Sequence, residues 1–173
     1  MKASELIELI EQNYSKRGIE RVSQECINSP EKLELLIKLL CEGKGRSAQL
    51  ASWVLSKVTD LNADLVSSHF ESLLKLLNQS TSSSVKRNVI RTFVYISIPQ
   101  EYHGTLINAC FKTLQNRDNS IAERAFSMHV LGNYVKLYSD LSNELIPVIE
   151  EGMPYESAAF KSIGRKLLKQ MKF

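Results

Sequence analysis

Glycine and proline are scarce in this chain, 7 and 4 residues out of 173, which excludes collagen-like and low-complexity disordered classes. Cysteine is scarcer still. Cys26, Cys41 and Cys110 are odd in number and never form a Cys-x-x-Cys pair, so neither a disulfide framework nor a zinc-type motif is expected, and reduced thiols inside apolar helical patterns are the reading. No apolar run approaches the roughly 20 residues that span a bilayer. The opening MKASELIELIEQ places Glu5, Glu8 and Glu11 where a signal peptide needs an unbroken apolar segment, and a cytoplasmic location is expected. His69, His103 and His129 are dispersed, with no His-Glu-x-x-His and no dense carboxylate cluster beyond Glu150-Glu151. Gly43-x-Gly45 lacks the length and the preceding strand of a phosphate loop and reads as a helix break. No catalytic constellation emerges, so the expectation is a non-enzyme with no cofactor and no metal.

What the chain does contain is repetition. In Leu73–Ser97 an apolar helix ending Leu73-Leu74-x-Leu76-Leu77 is followed by a polar break at 78–84. Val85, Val89, Phe93 and Ile96 then recur on one helical face. Aligning Leu36, Leu73, Cys110 and Ile146 gives steps of 37, 37 and 36 residues, and twelve positions further on stand Ala48, Val85, Ala122 and Ala158. A period of that size made of two helices is the signature of an α-solenoid, whose pairs bury their faces against one another. With 43% hydrophobic and 24% charged residues, the composition is that of an ordinary globular domain.

The breaks agree with this division. Gly18 marks a break in the first pair. Ser29 caps a helix whose first residue is Pro30, where a missing N–H costs nothing. Gly43 and Gly45 end that helix, and Asn62 caps the next. Ile98-Pro99 stops the third pair. Ser120-Ile121-Ala122-Glu123 is a capping box, with Ala122, Ala125, Phe126, Val130, Leu131 and Tyr134 as the apolar face behind it. Pro147 should kink its helix or delay its start, and Gly152 and Pro154 punctuate the last pair. The STSSS run at 80–84 reads as a flexible turn, with phosphorylation a speculative use. Trp53 and Tyr95 could stack on a ligand, but at helical spacing they read as core.

These helix pairs, the period near 37, the Leu-Leu-x-Leu-Leu endings and the Ala or Val opening each second helix resemble HEAT repeats over roughly residues 30–172. Val85-Lys86-Arg87 comes nearest to that family's valine-arginine step, while Ala48-Gln49, Ala122-Glu123 and Ala158-Ala159 depart from it. The 34-residue tetratricopeptide pattern is not found. The expected fold is all-α, a right-handed α-α superhelix (α-solenoid) of about five antiparallel helix pairs. It forms one domain over 1–173, with pairs at about 3–28, 30–59, 62–97, 100–138 and 140–172. The resemblance implies a mode of binding and no activity.

Charge divides between the two helices of each pair. First-helix spans at 3–14, 30–42, 62–79, 100–116 and 140–152 carry a net −9, and partner spans at 15–28, 43–58, 82–97, 118–138 and 154–173 carry +11, hidden inside an overall +3. The resemblance implies that second helices line a concave side. That side should then be basic through Arg46, Lys57, Lys86, Arg87, Arg91, Arg124, Lys161 and Arg165. Two functions follow: an interaction or scaffold module holding an acidic protein or peptide surface, or a nucleic-acid-binding helical-repeat protein of the DNA-repair type. For the second, these Lys and Arg can supply phosphate contacts, but a base-processing enzyme also needs a catalytic carboxylate and aromatics in the same groove, for which Glu123 beside Arg124, with Trp53, is the one candidate. A solvated basic face without a ligand is the plain competitor. A monomer is favoured over an oligomer.

In an open solenoid the terminal pairs cover an apolar side with polar residues. The last helix sets Phe160, Ile163, Leu167 and Met171 on one stripe among Lys161, Arg165, Lys166, Lys169 and Lys172. Such a basic amphipathic helix can lie on a membrane or in a partner's groove, but its stripe continues the repeat phase and reads as a cap. Removing residues 154–173 is expected to abolish soluble, cooperative unfolding, as followed by circular dichroism during thermal melting.

Overall fold

The computed structural model describes residues 2–79 and 81–172; Ser80, the first residue of the expected 80–84 turn, lies outside them. Among the described residues the chain is all helical, without strands. Its helices are α1 (Ala3–Gln12), α2 (Lys16–Ile27), α3 (Pro30–Glu42), α4 (Arg46–Leu61), α5 (Ala63–Ser67), α6 (Phe70–Leu77), α7 (Ser83–Phe93), α8 (His103–Gln115), α9 (Ile121–Val135), α10 (Leu141–Gly152) and α11 (Ala158–Met171). A 3-10 turn at Gln100–Tyr102 precedes α8. None is long and apolar enough to cross a membrane. The chain divides into two compact units, Met1–Ile98 and Pro99–Phe173.

In the first unit, α1, α3 and α6 form one layer, and α2, α4 and α7 the other. Local chemistry sets the helix starts. Ser15 accepts from the Gly18 amide at 3.0 Å, Ser29 from Lys32 at 3.3 Å ahead of Pro30, and Asn62 from Leu65 at 3.4 Å. Gly45 enters α4 with a φ of 57°, a left-handed conformation that glycine takes without strain. Leu36, Leu55, Leu73 and Ile90 are essentially sealed from solvent, each worth about 1.5–3 kcal/mol of apolar burial.

Small polar side chains hold the second layer together. The Ser23 hydroxyl donates to the Ile19 and Val54 carbonyls, and Asn88 Nδ2 donates to Ser52 Oγ at 3.0 Å. Ser52 in turn bonds the Gln49 carbonyl, and the Thr59 and Thr92 hydroxyls meet at 3.4 Å. Every member of the seam has a hydrogen-bond partner, which is what makes its burial tolerable.

Three expectations in this unit are corrected. Gly18 is no break but the third residue of α2, and a Cβ there would sit 2.2 Å from the Asn13 carbonyl oxygen, where the incoming chain crosses it. The span 62–79 is not one helix. The Ser67 and Ser68 hydroxyls bond back to the Ala63 and Leu65 carbonyls, an alternative to helix propagation, and α6 restarts from His69. Tyr95 is 52% exposed rather than core, because α7 has already ended at Phe93.

In the second unit, α9 packs on α8, α10 and α11. The capping box forms as expected: Ser120 donates its amide to Glu123 Oε2 at 2.6 Å, and the Glu123 amide donates to Ser120 Oγ at 3.3 Å. Pro147 lies inside α10. Pro154 does not start the last helix; Ser157 caps it, accepting from Phe160, so α11 begins at Ala158. The small-residue register also drifts. Ala48 and Val85 are buried, Ala122 is half-buried and Ala158 is exposed, since Phe160, Gly164 and Leu167 set the inward phase of α11.

Ala125, 6% exposed, marks the packed face of α9. Ala125→Glu places an unpaired charge there, at a cost of several kcal/mol against a total stability of about 5–15. The expected outcome is loss of the cooperative thermal transition by circular dichroism; an unchanged melting temperature would refute this helix phase.

Candidate functional site

The eight basic residues expected on the second helices fare very differently. Lys57 and Arg91 converge on one carboxylate, Asp60. Lys57 Nζ lies 3.2 Å from Oδ2, and the Arg91 guanidinium donates to Oδ1, to the Ser56 carbonyl at 3.2 Å, and lies over the Tyr95 ring. Asp60 offsets one of these two positive charges and holds both side chains in place. Lys86 is half-buried. Lys161 reaches the Pro154 carbonyl at 3.5 Å, and Arg165 is exposed.

Arg124 corrects the expectation most sharply. It is only 7% exposed: its Nε donates to the Leu114 carbonyl at 3.0 Å, its Nη2 pairs with Glu156 at 2.6 Å, and the guanidinium lies over the Phe160 ring. This is an internal clamp joining α8, α9 and the turn before α11. A side chain so enclosed contributes nothing to an exposed basic face. Glu123, its neighbour in the proposed catalytic pairing, is 3% exposed and engaged in the capping box.

Arg46 and Arg87 do come together. With Tyr14, Gln49, Trp53 and Asn88 they line a shallow cleft of about 320 Å³ in the first unit, between the α1–α2 turn, α4 and α7. Arg46 opens α4, where Gly45 delivers the chain, and Arg87 stands on the outward side of α7, with Val85 and Val89 turned into the core. Tyr14 meets Trp53 edge-on at 5.4 Å between ring centroids, and the Arg46 guanidinium covers Tyr14 at 5.2 Å. Arg46 also pairs with Glu11 at 3.3 Å, an exposed contact of small net worth. Arg87 is exposed and, among the described residues, has no ion pair. The combination is an aromatic wall flanked by two guanidinium groups, one of them uncompensated. Sequence reading placed Trp53 in the core, whereas it is half-buried and lines the cleft, and it missed Tyr14, which no periodicity marks because it sits between helices.

The family model of the HEAT repeat domain matches residues 6–171. The chain belongs to the HEAT-repeat family. No curated protein and no solved structure matches it significantly. HEAT repeats generally mediate protein–protein interaction or scaffolding, and their proteins are typically non-catalytic. In this HEAT chain no group of three His, Cys, Asp or Glu among the described residues is placed to hold a metal. The Cys26 thiol, desolvated by burial, is pushed up to about 11, far from a reactive thiolate at neutral pH.

Asp60 controls how much of the HEAT second-helix face is positive. Burial alone would raise its pKa, but hydrogen bonds and charge from Arg91 and Lys57 outweigh that and hold it below the ordinary 3.8. Its folded value is depressed, so its contribution to stability is present above 3.8 and is lost as pH falls toward the folded value. Asp60→Asn is expected to cost about 1 kcal/mol near neutral pH and to flatten the acid limb of stability. By freeing two cations it should also raise the salt concentration needed to elute the protein from heparin; unchanged elution would mean that Asp60 does not mask them.

Proposed function

We propose that this HEAT-repeat protein is a non-enzymatic interaction module that holds a short acidic segment of a partner protein in the Tyr14–Trp53 cleft, with Arg87 and Arg46 as anchors. The observation that carries the reading is Arg87, uncompensated beside an aromatic wall. Trp, Tyr and Arg are the residues that dominate interface energetics, and a guanidinium matches a carboxylate through two parallel hydrogen bonds. The Tyr14–Trp53 edge contact and the Arg46 cover hold the wall in place before any partner arrives, which lowers the ordering cost of binding. A nucleic acid is the weaker occupant. Its backbone asks for a track of free cations, whereas Lys57 and Arg91 are tied to Asp60 and Arg46 is shared with Glu11. Three unpaired cysteines fit a reducing cytoplasmic setting.

Trp53 is the sole tryptophan, so its emission reports on the cleft directly. Titration with an oligo-glutamate peptide is expected to change that emission with a saturable curve. Arg46→Glu with Arg87→Glu should weaken the peptide at least about tenfold, equivalent to 1.4 kcal/mol, while leaving the melting temperature nearly unchanged. Lys38→Glu with Lys75→Glu, on α3 and α6, is the control of equal charge. Equal losses in both pairs would reduce the effect to net charge and overturn the cleft assignment. A DNA duplex that changes the emission more strongly than the peptide would establish the nucleic-acid reading instead.

A further inference from the structure

A second cationic cluster lies in the other unit. Between α9 and α11 there is a cleft of about 150 Å³, floored where Leu167 packs directly on Gly132. Its walls carry His129 from α9, Lys136 just past the end of α9 and Lys166 from α11, with Asn133 and Gln170 beside them. No carboxylate lines it. Lys136 and Lys166 are exposed, and neither has an ion pair among the described residues.

We infer that this cleft is a binding site for one tetrahedral oxyanion of the phosphate class, with Lys136 and Lys166 as its cations and His129 as the group whose protonation follows the ion. The chemistry selects the ligand. Two lysine ammonium groups in the lining repel a metal ion, and no carboxylate in the lining cancels their positive potential. A dianion supplies the missing charge and accepts hydrogen bonds from both ammonium groups and from the Gln170 amide. The floor of Leu167 on Gly132 leaves room for a compact ion rather than an extended organic ligand.

His129 supports the assignment. Burial, then Lys166 and Lys136, lower its pKa below the ordinary 6.5, so the empty cleft holds a neutral imidazole. These two lysines are the charged groups that face it, one from the residue that follows its own helix and one from α11; α8 and α10 contribute no residue to the lining. Seating a dianion reverses the balance and raises the imidazole pKa, so a proton is taken from solvent as the ion binds. By linkage, affinity then strengthens as pH falls through the pKa of the bound form and levels off below that of the free form.

Sulfate, a dianion throughout the relevant pH range, is the probe. The C–H resonance of His129, assigned by its loss in His129→Gln, is titrated by NMR in sulfate and in chloride at matched ionic strength. The expected result is a pKa raised by about one unit in sulfate, corresponding to about tenfold tighter binding of the ion at low pH than at high pH, with His69 and His103 unmoved. Lys136→Gln with Lys166→Gln should erase the shift while leaving the circular dichroism spectrum unchanged. Inorganic phosphate and glycerol phosphate are the comparison arms: a shift with phosphate alone assigns the free ion, and a shift with both admits a monoester. Coincident His129 curves in sulfate and chloride, or a shift that survives the double lysine replacement, overturn the site. The readout is independent of Trp53 and of the acidic-segment reading.

Discussion

A helix packed by neighbours around most of its circumference needs small residues where those neighbours approach closely and a partner for every buried polar atom, and α4 is in that position. It touches α1, α2, α3 and α7, and nine of its sixteen residues are buried, among them Ala48, Ala51, Ser52, Ser56 and Thr59. Small residues let the helices approach closely, and each buried hydroxyl can bond a carbonyl on its own preceding turn and still face a neighbouring helix. Asn88 on Ser52, Thr92 against Thr59 and Val54 accepting from Ser23 are the result. With that seam closed, α4 has little freedom to rotate or slide, and Arg46, Gln49 and Trp53 are held in fixed places beside Arg87.

Ion pairing decides where positive charge is available. A count along the chain puts +11 on the second-helix spans, yet Lys57 and Arg91 share the one carboxylate of Asp60, and Glu156 pairs with Arg124. The buried Arg124–Glu156 pair costs desolvation on both sides and is held by the Leu114 carbonyl and the Phe160 ring, so breaking it from one side leaves a stranded charge, a loss of about 3–5 kcal/mol. Among the exposed cations without an ion pair in the described residues, Arg87 stands beside an aromatic wall in one unit, and Lys136 and Lys166 line a cleft with a neutral imidazole in the other. The first arrangement suits a planar carboxylate on a chain that can also cover aromatic surface; the second suits a compact oxyanion.

The repeat was legible because helix burial imposes a period. Leu36, Leu73 and Cys110, spaced by 37, are all buried, and the breaks at Ser29-Pro30, Asn62 and Ser120 fall where side-chain caps satisfy free amides. These are local or one-dimensional constraints, written in the order of residues. Even part of the seam is written there, since Asn88 and Ser52 are 36 residues apart, close to one repeat.

Hydrophobic periodicity and capping chemistry therefore determined the fold class and family of this chain, because both act within a turn or a repeat of the residue concerned. The tertiary structure alone decided which charges are free. Whether Arg91 meets Asp60, whether Arg124 is enclosed by Glu156, and whether Tyr14 reaches Trp53 depend on side chains brought together from separate elements. A basic residue reads the same in sequence whether it faces water or a carboxylate, and only its packed neighbours tell the two apart.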